Sequence, residues 1–132
     1  MTAASDGMSA SDIAQVVAAR KLSAVEVAEA ALARIGKHDK ILNSFTDVTA
    51  ERARAKAREV DAAVAAGRSV GPLAGVPFAV KNLFDVKGLA TRAGSKINRD
   101  RPPAARDATL IERMEASGAV LVGALNMGEY AY

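Results

Sequence analysis

The 132-residue sequence contains no cysteine and no tryptophan, and it has only one histidine, two tyrosines and three phenylalanines. Without cysteine the chain has neither disulfides nor thiolate chemistry, and thiols give no information on its compartment. The single histidine, His38, lies in the polar run Lys37–Lys40, which we predict to be an exposed turn after a helix. No metal-binding cluster is visible, so we expect neither a metal nor a cofactor.

Long apolar runs are also missing, since no segment approaches the roughly 20 residues that a bilayer-spanning helix needs. The N-terminus lacks the basic and then apolar pattern of a signal peptide. We therefore expect a cytoplasmic protein that does not contact membranes.

The charge balance of 18 basic and 15 acidic residues gives a net charge of +3 and a pI near 9.4. Such a balance raises the possibility of RNA binding, which would depend on salt. The basic run at Arg52, Arg54, Lys56 and Arg58 is interrupted by alanines, however, and is typical of the solvated side of one helix. Aromatic residues on which bases could stack are scarce, so we do not expect a nucleic-acid partner.

The chain is predicted to begin with a polar tail at residues 1–8, which we expect to be disordered, followed by one domain at residues 9–132. Two amphipathic helices open this domain. Ser9 or Ser11 caps the first helix. The apolar stripes of both helices must pack on a later part of the chain or on a neighbouring subunit.

Ser23 and Glu26 form a capping box for the second helix, and we expect Gly36 to end it. A short strand is predicted at Ser44–Val48. Thr49 then caps an alanine-rich helix that runs from Ala50 to about Ala66.

One lysine ends a short apolar run in the middle of the chain. Val76–Val80 reads as a strand that is buried on both faces, and Lys81 follows it directly. A buried lysine either pairs with a carboxylate or loses its proton and becomes a general base. A lysine at a strand end is also often an exposed residue whose stem covers apolar surface. Both interpretations remain open from the residues alone.

A strand, helix and strand pattern surrounds this lysine. After the loop Gly88–Ala105, which is long enough to be functional, Asp107 is predicted to cap a helix that carries Leu110, Ile111 and Met114 and ends at Gly118. Ala119–Ala124 is a second buried strand. If the two strands are parallel, Lys81 and the segment Asn126–Tyr132 lie at the same edge of the sheet, where α/β proteins usually bind ligands.

Four segments in this order resemble the amidase-signature family, whose members hydrolyse carboxamide bonds. They read GPLAGVPFAVKNLFDV, GLATRAGSK, DATLIERMEASGAVLVG and NMGEYA. The resemblance extends over nearly the whole chain. It implies an α/β fold made of N-terminal helices and the first strands and helices of a mixed sheet that is incomplete. The implied substrate is a small-molecule amide.

The resemblance also implies a role for Lys81, as the general base of a Ser–cisSer–Lys triad. The family's two serines lie in later segments that nothing before Tyr132 matches, so we expect the chain to be truncated and inactive by itself. Tyr132 matches a position that lines the acyl pocket and is the implied substrate-binding residue. Ser95 is the only serine present that could be considered as a nucleophile in place of the missing ones. We expect instead that it bonds its own backbone in a loop.

Two further features refine the resemblance. Asn82 stands where many family members have aspartate, and KNLFDV followed by AGSKIN is similar to the subgroup that hydrolyses carboxybiuret. Members of that kind imply a small helical companion subunit, although a homo-oligomer is also compatible with the sequence. A different hypothesis is that the chain is a non-catalytic module that binds a partner through the helices of Ser9–Ile35.

Overall fold

Capping boxes start the first two helices, at Ser9 with Asp12 and at Ser23 with Glu26. The second box is predicted by its spacing, and Ser9 is the cap of the two candidates predicted for the first helix. The computed structural model describes residues 4–132. In chain order the elements are α1 (Ala10–Ala18), α2 (Ala24–Leu42), β1 (Phe45–Val48), α3 (Ala50–Ala65), β2 (Pro77–Lys81), α4 (Thr109–Ala116) and β3 (Val120–Leu125). Single 3₁₀ turns occur at Lys96–Asn98 and Glu129–Ala131. The mixture of helices and strands confirms the predicted α/β class.

The three strands form one mixed sheet in the order β1-β3-β2. β3 is central, and all of its residues except Leu125 are buried. β2 runs parallel to β3 and β1 runs antiparallel to it. The predicted parallel strand, helix and strand unit is therefore confirmed.

An apolar core lies on each side of this sheet. On one side, α1, α2 and α3 pack closely through small residues, and we call this the first core; its fully buried members include Ala24, Ala28, Ala53 and Ala57. On the other side, Ile111 of α4 packs with Val80, Val86 and Leu121 in what we call the second core. The apolar stripes of α1 and α2 are thus covered by α3 and the sheet of the same chain.

The second helix is longer than predicted. It continues through Gly36 and His38 to Leu42, and it ends where Asn43 adopts a left-handed conformation with φ 51°. A helical glycine costs only about 1 kcal/mol, and the lysines, isoleucine and leucine that follow continue the helix. His38 is exposed as expected, but it lies within the helix and not in a turn.

Two residues predicted to cap helices use their side chains elsewhere. Thr49 is the N-cap residue of α3 as predicted, but its side chain makes no capping bond, whereas the predicted cap at Asp107 is wrong. The Thr49 hydroxyl donates a hydrogen bond to the carbonyl of Leu121 (2.9 Å), which ties α3 to the sheet. Asp107 accepts hydrogen bonds from Arg52 (2.8 Å), and the N-cap of α4 is Ala108. The apolar face of α4 also differs from the prediction, since Ile111 is fully buried whereas Leu110 is exposed.

The basic residues of α3 do not share one solvated face. Residues two apart on a helix lie about 200° apart, so their side chains diverge. Arg52 is largely buried between Asp107 and Glu115, and Arg54 pairs with Glu29 and Glu51. The positive charges of Arg52 and Arg54 are therefore neutralised by ion pairs within the chain.

The predicted tail at residues 1–8 falls partly outside the described residues, since residues 1–3 are not described. Residues 4–7 form a turn in which Ser5 is buried, and Asp6 pairs with Arg34 of α2. Within residues 4–132, no helix is both long enough and apolar enough to cross a membrane.

Candidate functional site

The carboxyl ends of β2 and β3 lie side by side, with Lys81 paired to Leu125. The backbone N–H of Asn82 extends the pairing by donating to the carbonyl of Leu125 (2.9 Å). Asn126 follows at the end of β3, so the predicted meeting of Lys81 with the Asn126–Tyr132 segment at one edge is confirmed. We call this region the carboxyl edge.

Lys81 is exposed, and among residues 4–132 its ammonium group makes no hydrogen bond or ion pair. Its strand is less buried than predicted, because both faces of β2 contact a core but only Val80 is buried and Pro77, Phe78 and Ala79 are half-buried. Ala79 packs toward the first core, whereas Phe78 and Val80 pack toward the second. Since side chains alternate along a strand, Lys81 leaves the sheet on the side of the first core. Its role as a base stays a prediction.

Asn82 is the most highly connected polar side chain at the carboxyl edge, and it is 2% exposed. Its Nδ2 donates to Thr46 Oγ1 (2.6 Å) and to Asp47 Oδ2 (3.3 Å). Its Oδ1 accepts from the backbone N–H of Arg92 (2.7 Å). All of its side-chain polar atoms are therefore used, and they join β1, β2 and the following loop into one unit.

The loop that Asn82 holds has an unusual backbone at Ala93, which lies in the left-handed region with φ 50°. Such a conformation costs roughly 1–2 kcal/mol for a residue with a side chain. Two hydrogen bonds fix it: the N–H of Ala93 donates to the carbonyl of Asn82 (2.7 Å), and its carbonyl accepts from the N–H of Tyr130 (2.8 Å). The structure therefore defines this bend through bonds from both sides.

The same loop is fastened to the segment that follows β3. The Ser95 hydroxyl donates to Glu129 Oε1 (2.5 Å), and Asn98 Nδ2 donates to the Tyr130 hydroxyl (2.9 Å). Gly94 has φ 68°, and a Cβ there would lie 2.6 Å from the carbonyl oxygen of Met127. The prediction that the Ser95 side chain bonds its own backbone is wrong, because its hydroxyl bonds Glu129, which is distant in sequence.

A shallow hollow of about 320 Å³ opens between β1, this loop and the end of β3. Three cationic side chains line it, together with small and polar residues: Arg92, Lys96, Arg99, Thr46, Gly94, Ser95 and Asn126. We call it the basic hollow. The nearest ion pair joins Arg92 to Asp47 at a long 3.8 Å. Neither Lys96 nor Arg99 forms an ion pair within the described part of the chain.

Tyr132 is fully exposed, and its N–H donates to the carbonyl of Glu129 (3.1 Å). No described side chain encloses its ring, so its predicted role in substrate binding stays a prediction. The neighbouring Tyr130 is the tyrosine that the loop holds, through Asn98.

A network of charged side chains links α3 and α4 to the backbone at Lys87, just before the loop Gly88–Ala105. Arg52 bonds Asp107 through both carboxylate oxygens (2.8 Å each) and also bonds Glu115. Asp107 accepts in addition from the N–H of Lys87 (2.8 Å). The hydrogen bonds from the Arg52 guanidinium hold the pKa of Asp107 below its usual range, while partial burial opposes that shift.

The sequence patterns located Lys81 and the Asn126–Tyr132 segment but missed the basic hollow and the network around Asn82. Arg92, Lys96 and Arg99 are spaced along an irregular loop without a period, so no pattern predicts that they line one cavity. The signal that could have found Asn82 is its position. An amide directly after an apolar strand needs several partners if it is to be buried.

Comparisons with known proteins agree with this geometry. The family model described as Amidase matches residues 26–132. The chain is 54% identical over 121 residues to the 1-carboxybiuret hydrolase subunit AtzE of Pseudomonas sp. (strain ADP), and the match covers 92% of this chain and 26% of that protein. It is 51% identical over 115 residues to a glutamyl-tRNA(Gln) amidotransferase subunit of Anaeromyxobacter sp. (strain K), and that match covers 87% and 23%.

Solved structures give the same result. The fold is similar to that of a chain in an inhibitor-bound vestigial protein complex that reveals the evolutionary origins of an s-triazine catabolic enzyme. The TM-score is 0.92 and the identity 53%, and the match covers 95% of this chain and 27% of that one. A bacterial aryl acylamidase of the amidase signature family matches with a TM-score of 0.85 and 31% identity, covering 93% and 26%. The chain thus spans about a quarter of the length of the relatives it matches.

Proposed function

The chain belongs to the amidase family, and from that premise we propose that it supplies the proton-accepting lysine, Lys81, to an enzyme that hydrolyses a carboxamide C–N bond. The observation that carries the proposal is the position of Lys81. It stands at the carboxyl end of a parallel strand, beside the end of β3, and directly before the fixed residue Asn82. Ligand sites of α/β proteins lie at such strand ends.

The proposed mechanism is the Ser–cisSer–Lys mechanism of the family, with Lys81 as the base. A neutral Lys81 would accept a proton from the relay serine as that serine takes one from the nucleophilic serine, whose oxygen attacks the amide carbonyl. Among the described residues no serine bonds Lys81, and the Ser95 hydroxyl is committed to Glu129. We therefore propose that these 132 residues are inactive by themselves and need groups from elsewhere to complete the site.

The exposure of Lys81 fits this proposal. A base that acts on groups supplied by further protein has to face outward in the part of the enzyme described here. The lysine is exposed at the end of β2, which is an edge strand of the sheet.

For the substrate we propose a small amide similar to 1-carboxybiuret, which the name of one relative specifies. We also propose a partner subunit, because two relatives are named as subunits and the matching solved structure with a TM-score of 0.92 is a protein complex. A cytoplasmic location and the absence of a nucleic-acid partner stay predictions.

The alternative of a non-catalytic binding module has little support from the fold. That hypothesis needs exposed apolar faces on α1 and α2, yet Val17, Val27 and Ala28 are buried in the first core. Most of the apolar surface that suggested a partner therefore packs inside the chain, although Val25, Leu32 and Ile35 of α2 are only partly buried.

The test is a Lys81→Met variant of the protein as the cell makes it, purified with any subunit that accompanies it. Release of ammonia from 1-carboxybiuret and from a panel of simple carboxamides should fall by roughly 10²–10⁴-fold, the usual contribution of a general base. Lys37→Met is the matched control, since Lys37 is an exposed lysine on α2. Equal rates for the two variants would remove Lys81 from the mechanism.

A further inference from the structure

We propose that the basic hollow binds a carboxylate group carried by the amide substrate. This inference rests on the proposed function, because it assigns the part of the substrate that does not react. The ligand class is an extended amide with a carboxylate several bonds from the C–N bond that is cleaved.

The charges around the hollow support an anionic ligand. Arg92, Lys96 and Arg99 line the same 320 Å³ space, and their only ion pair in the described residues is the 3.8 Å contact with Asp47. Lys96 and Arg99 thus have no ion-pair partner among residues 4–132, and an anion in the hollow would supply one. Arginine in particular matches the planar fork of a carboxylate.

The hollow is also held in shape. Asn82 fixes the backbone of Arg92, and the bond from Ser95 to Glu129 fixes the loop just before Lys96. Both Asn82 and Ser95 are buried, at 2% and 6% exposure. A site whose backbone is fixed before binding loses less conformational entropy when a ligand arrives.

The wall of the hollow adds neutral polar groups to the three cations. Thr46 and Asn126 lie in the lining, at the ends of β1 and β3. An amide substrate carries N–H and C=O groups beside its carboxylate, and such groups need partners when they leave water. The mixture of cations and neutral polar groups suits a carboxylated amide.

The position of the hollow determines the shape of the ligand. Asn82 contacts two lining residues, Thr46 and Arg92, whereas Lys81 leaves the sheet on the side of the first core. A molecule that binds in the hollow and reaches the Lys81 ammonium must therefore lie across the end of β2. We infer that short amides with an adjacent carboxylate fit poorly and that longer ones fit well.

Direct binding tests the site without relying on hydrolysis. The purified protein is titrated by calorimetry with malonate, with the uncharged malonamide and with inorganic phosphate. Malonate should bind with saturation, and malonamide should bind at least about tenfold more weakly, as expected for a lost charge-assisted contact. Phosphate that binds as tightly as malonate would indicate a general oxyanion site and would overturn the assignment to a carboxylate.

Variants locate the binding within the chain. Arg99→Gln should weaken malonate binding about tenfold or more. Arg101→Gln, an exposed arginine of the same loop that does not line the hollow, should leave it unchanged. Equal affinities for the two variants would overturn the proposal. Circular dichroism of both variants shows whether either has lost its fold.

Kinetics then separates this inference from the proposed function. In the active protein, Arg99→Gln should raise KM for 1-carboxybiuret while leaving the KM of an uncharged amide unchanged. Lys81→Met should abolish hydrolysis but leave malonate binding intact. Loss of binding in Lys81→Met would place the anion at the lysine and contradict the assignment to the hollow, whereas unchanged hydrolysis in that variant would contradict the proposed function alone.

Discussion

The two apolar cores and the carboxyl edge are stabilised in different ways. In the cores, helices and strands meet through fully buried aliphatic side chains such as Ala28, Ala57 and Ile111. At the edge, an irregular loop is held in place by hydrogen bonds that Ser95 and Asn98 donate and by one that Asn82 accepts. Apolar burial therefore supplies most of the stability, while directional bonds fix the positions of the groups proposed to act.

Breaking an apolar core should have the largest effect on stability. Ile111→Ala removes a fully buried side chain from the second core, and we expect a loss of about 2–5 kcal/mol in the free energy of unfolding. Leu110→Ala is the matched control, because its neighbouring side chain is 45% exposed and should cost much less. Urea denaturation measures both. Similar losses of stability in the two variants would contradict the finding that Ile111 is buried and Leu110 is exposed.

Breaking the carboxyl edge should cost less but should act on its geometry. Asn82→Asp loses the donor to Thr46 and places a carboxylate beside Asp47, where the present contact is 3.3 Å. We expect a loss of about 1–3 kcal/mol in the free energy of unfolding, from an unsatisfied group and like-charge repulsion. Hydrogen exchange at Arg92 and Ala93 should become faster, since their amides donate to Asn82.

A second substitution sharpens this prediction. Adding Asp47→Asn restores a donor opposite the new carboxylate and should recover part of the lost stability, as a double-mutant cycle would show. If Asn82→Asp unfolds at the same urea concentration as the original protein, the network around Asn82 does not stabilise the edge.

The charged network behind the loop should show itself through pH. The pKa of Asp107 is lowered in the folded protein, so its stabilising effect is fully present above the ordinary pKa of about 3.9 and is lost as the pH falls through the lower folded value. At neutral pH, Asp107→Asn should cost about 1–2 kcal/mol. The difference from the original protein should shrink below about pH 4. A difference that stays constant down to about pH 2 would contradict the ion pair.

The smallest effect on stability is expected at the proposed base. Lys81 is exposed and makes no polar contact among residues 4–132, so Lys81→Met should change the free energy of unfolding by no more than about 0.5 kcal/mol. Thermal unfolding beside Lys37→Met provides the comparison. A large loss for Lys81→Met alone would show that the lysine has a structural role.

Local patterns predicted most of the fold. The cap at Ser9, the capping box at Ser23 and the parallel unit around α4 all depend on residues close in sequence, and they are confirmed. The predictions fail where a side chain bonds a partner that is distant in sequence. Thr49 and Asp107 are good caps by type, but the carbonyl of Leu121 and the guanidinium of Arg52 attract them instead.

In the candidate site, too, local patterns predict some positions and contacts between distant residues determine the others. Lys81 and Asn126 were predicted to lie together because strand topology alone places them there. Their surroundings could not be predicted, since Arg92, Lys96 and Arg99 line the hollow from an irregular loop whose bend at Ala93 is fixed by hydrogen bonds to distant residues. The expected burial of Lys81 was wrong for a related reason, because an apolar run does not reveal that its strand lies at a sheet edge.

The most direct measurement is the rate of amide hydrolysis by a Lys81→Arg variant of the active protein. Arginine keeps the positive charge and most of the length of lysine, but it cannot lose its proton under these conditions and so cannot serve as a base. We expect the rate to fall by roughly 10²-fold or more, with stability and malonate binding unchanged. A rate within a few-fold of the original would contradict the proposed role, because Lys81 would then act through its charge alone.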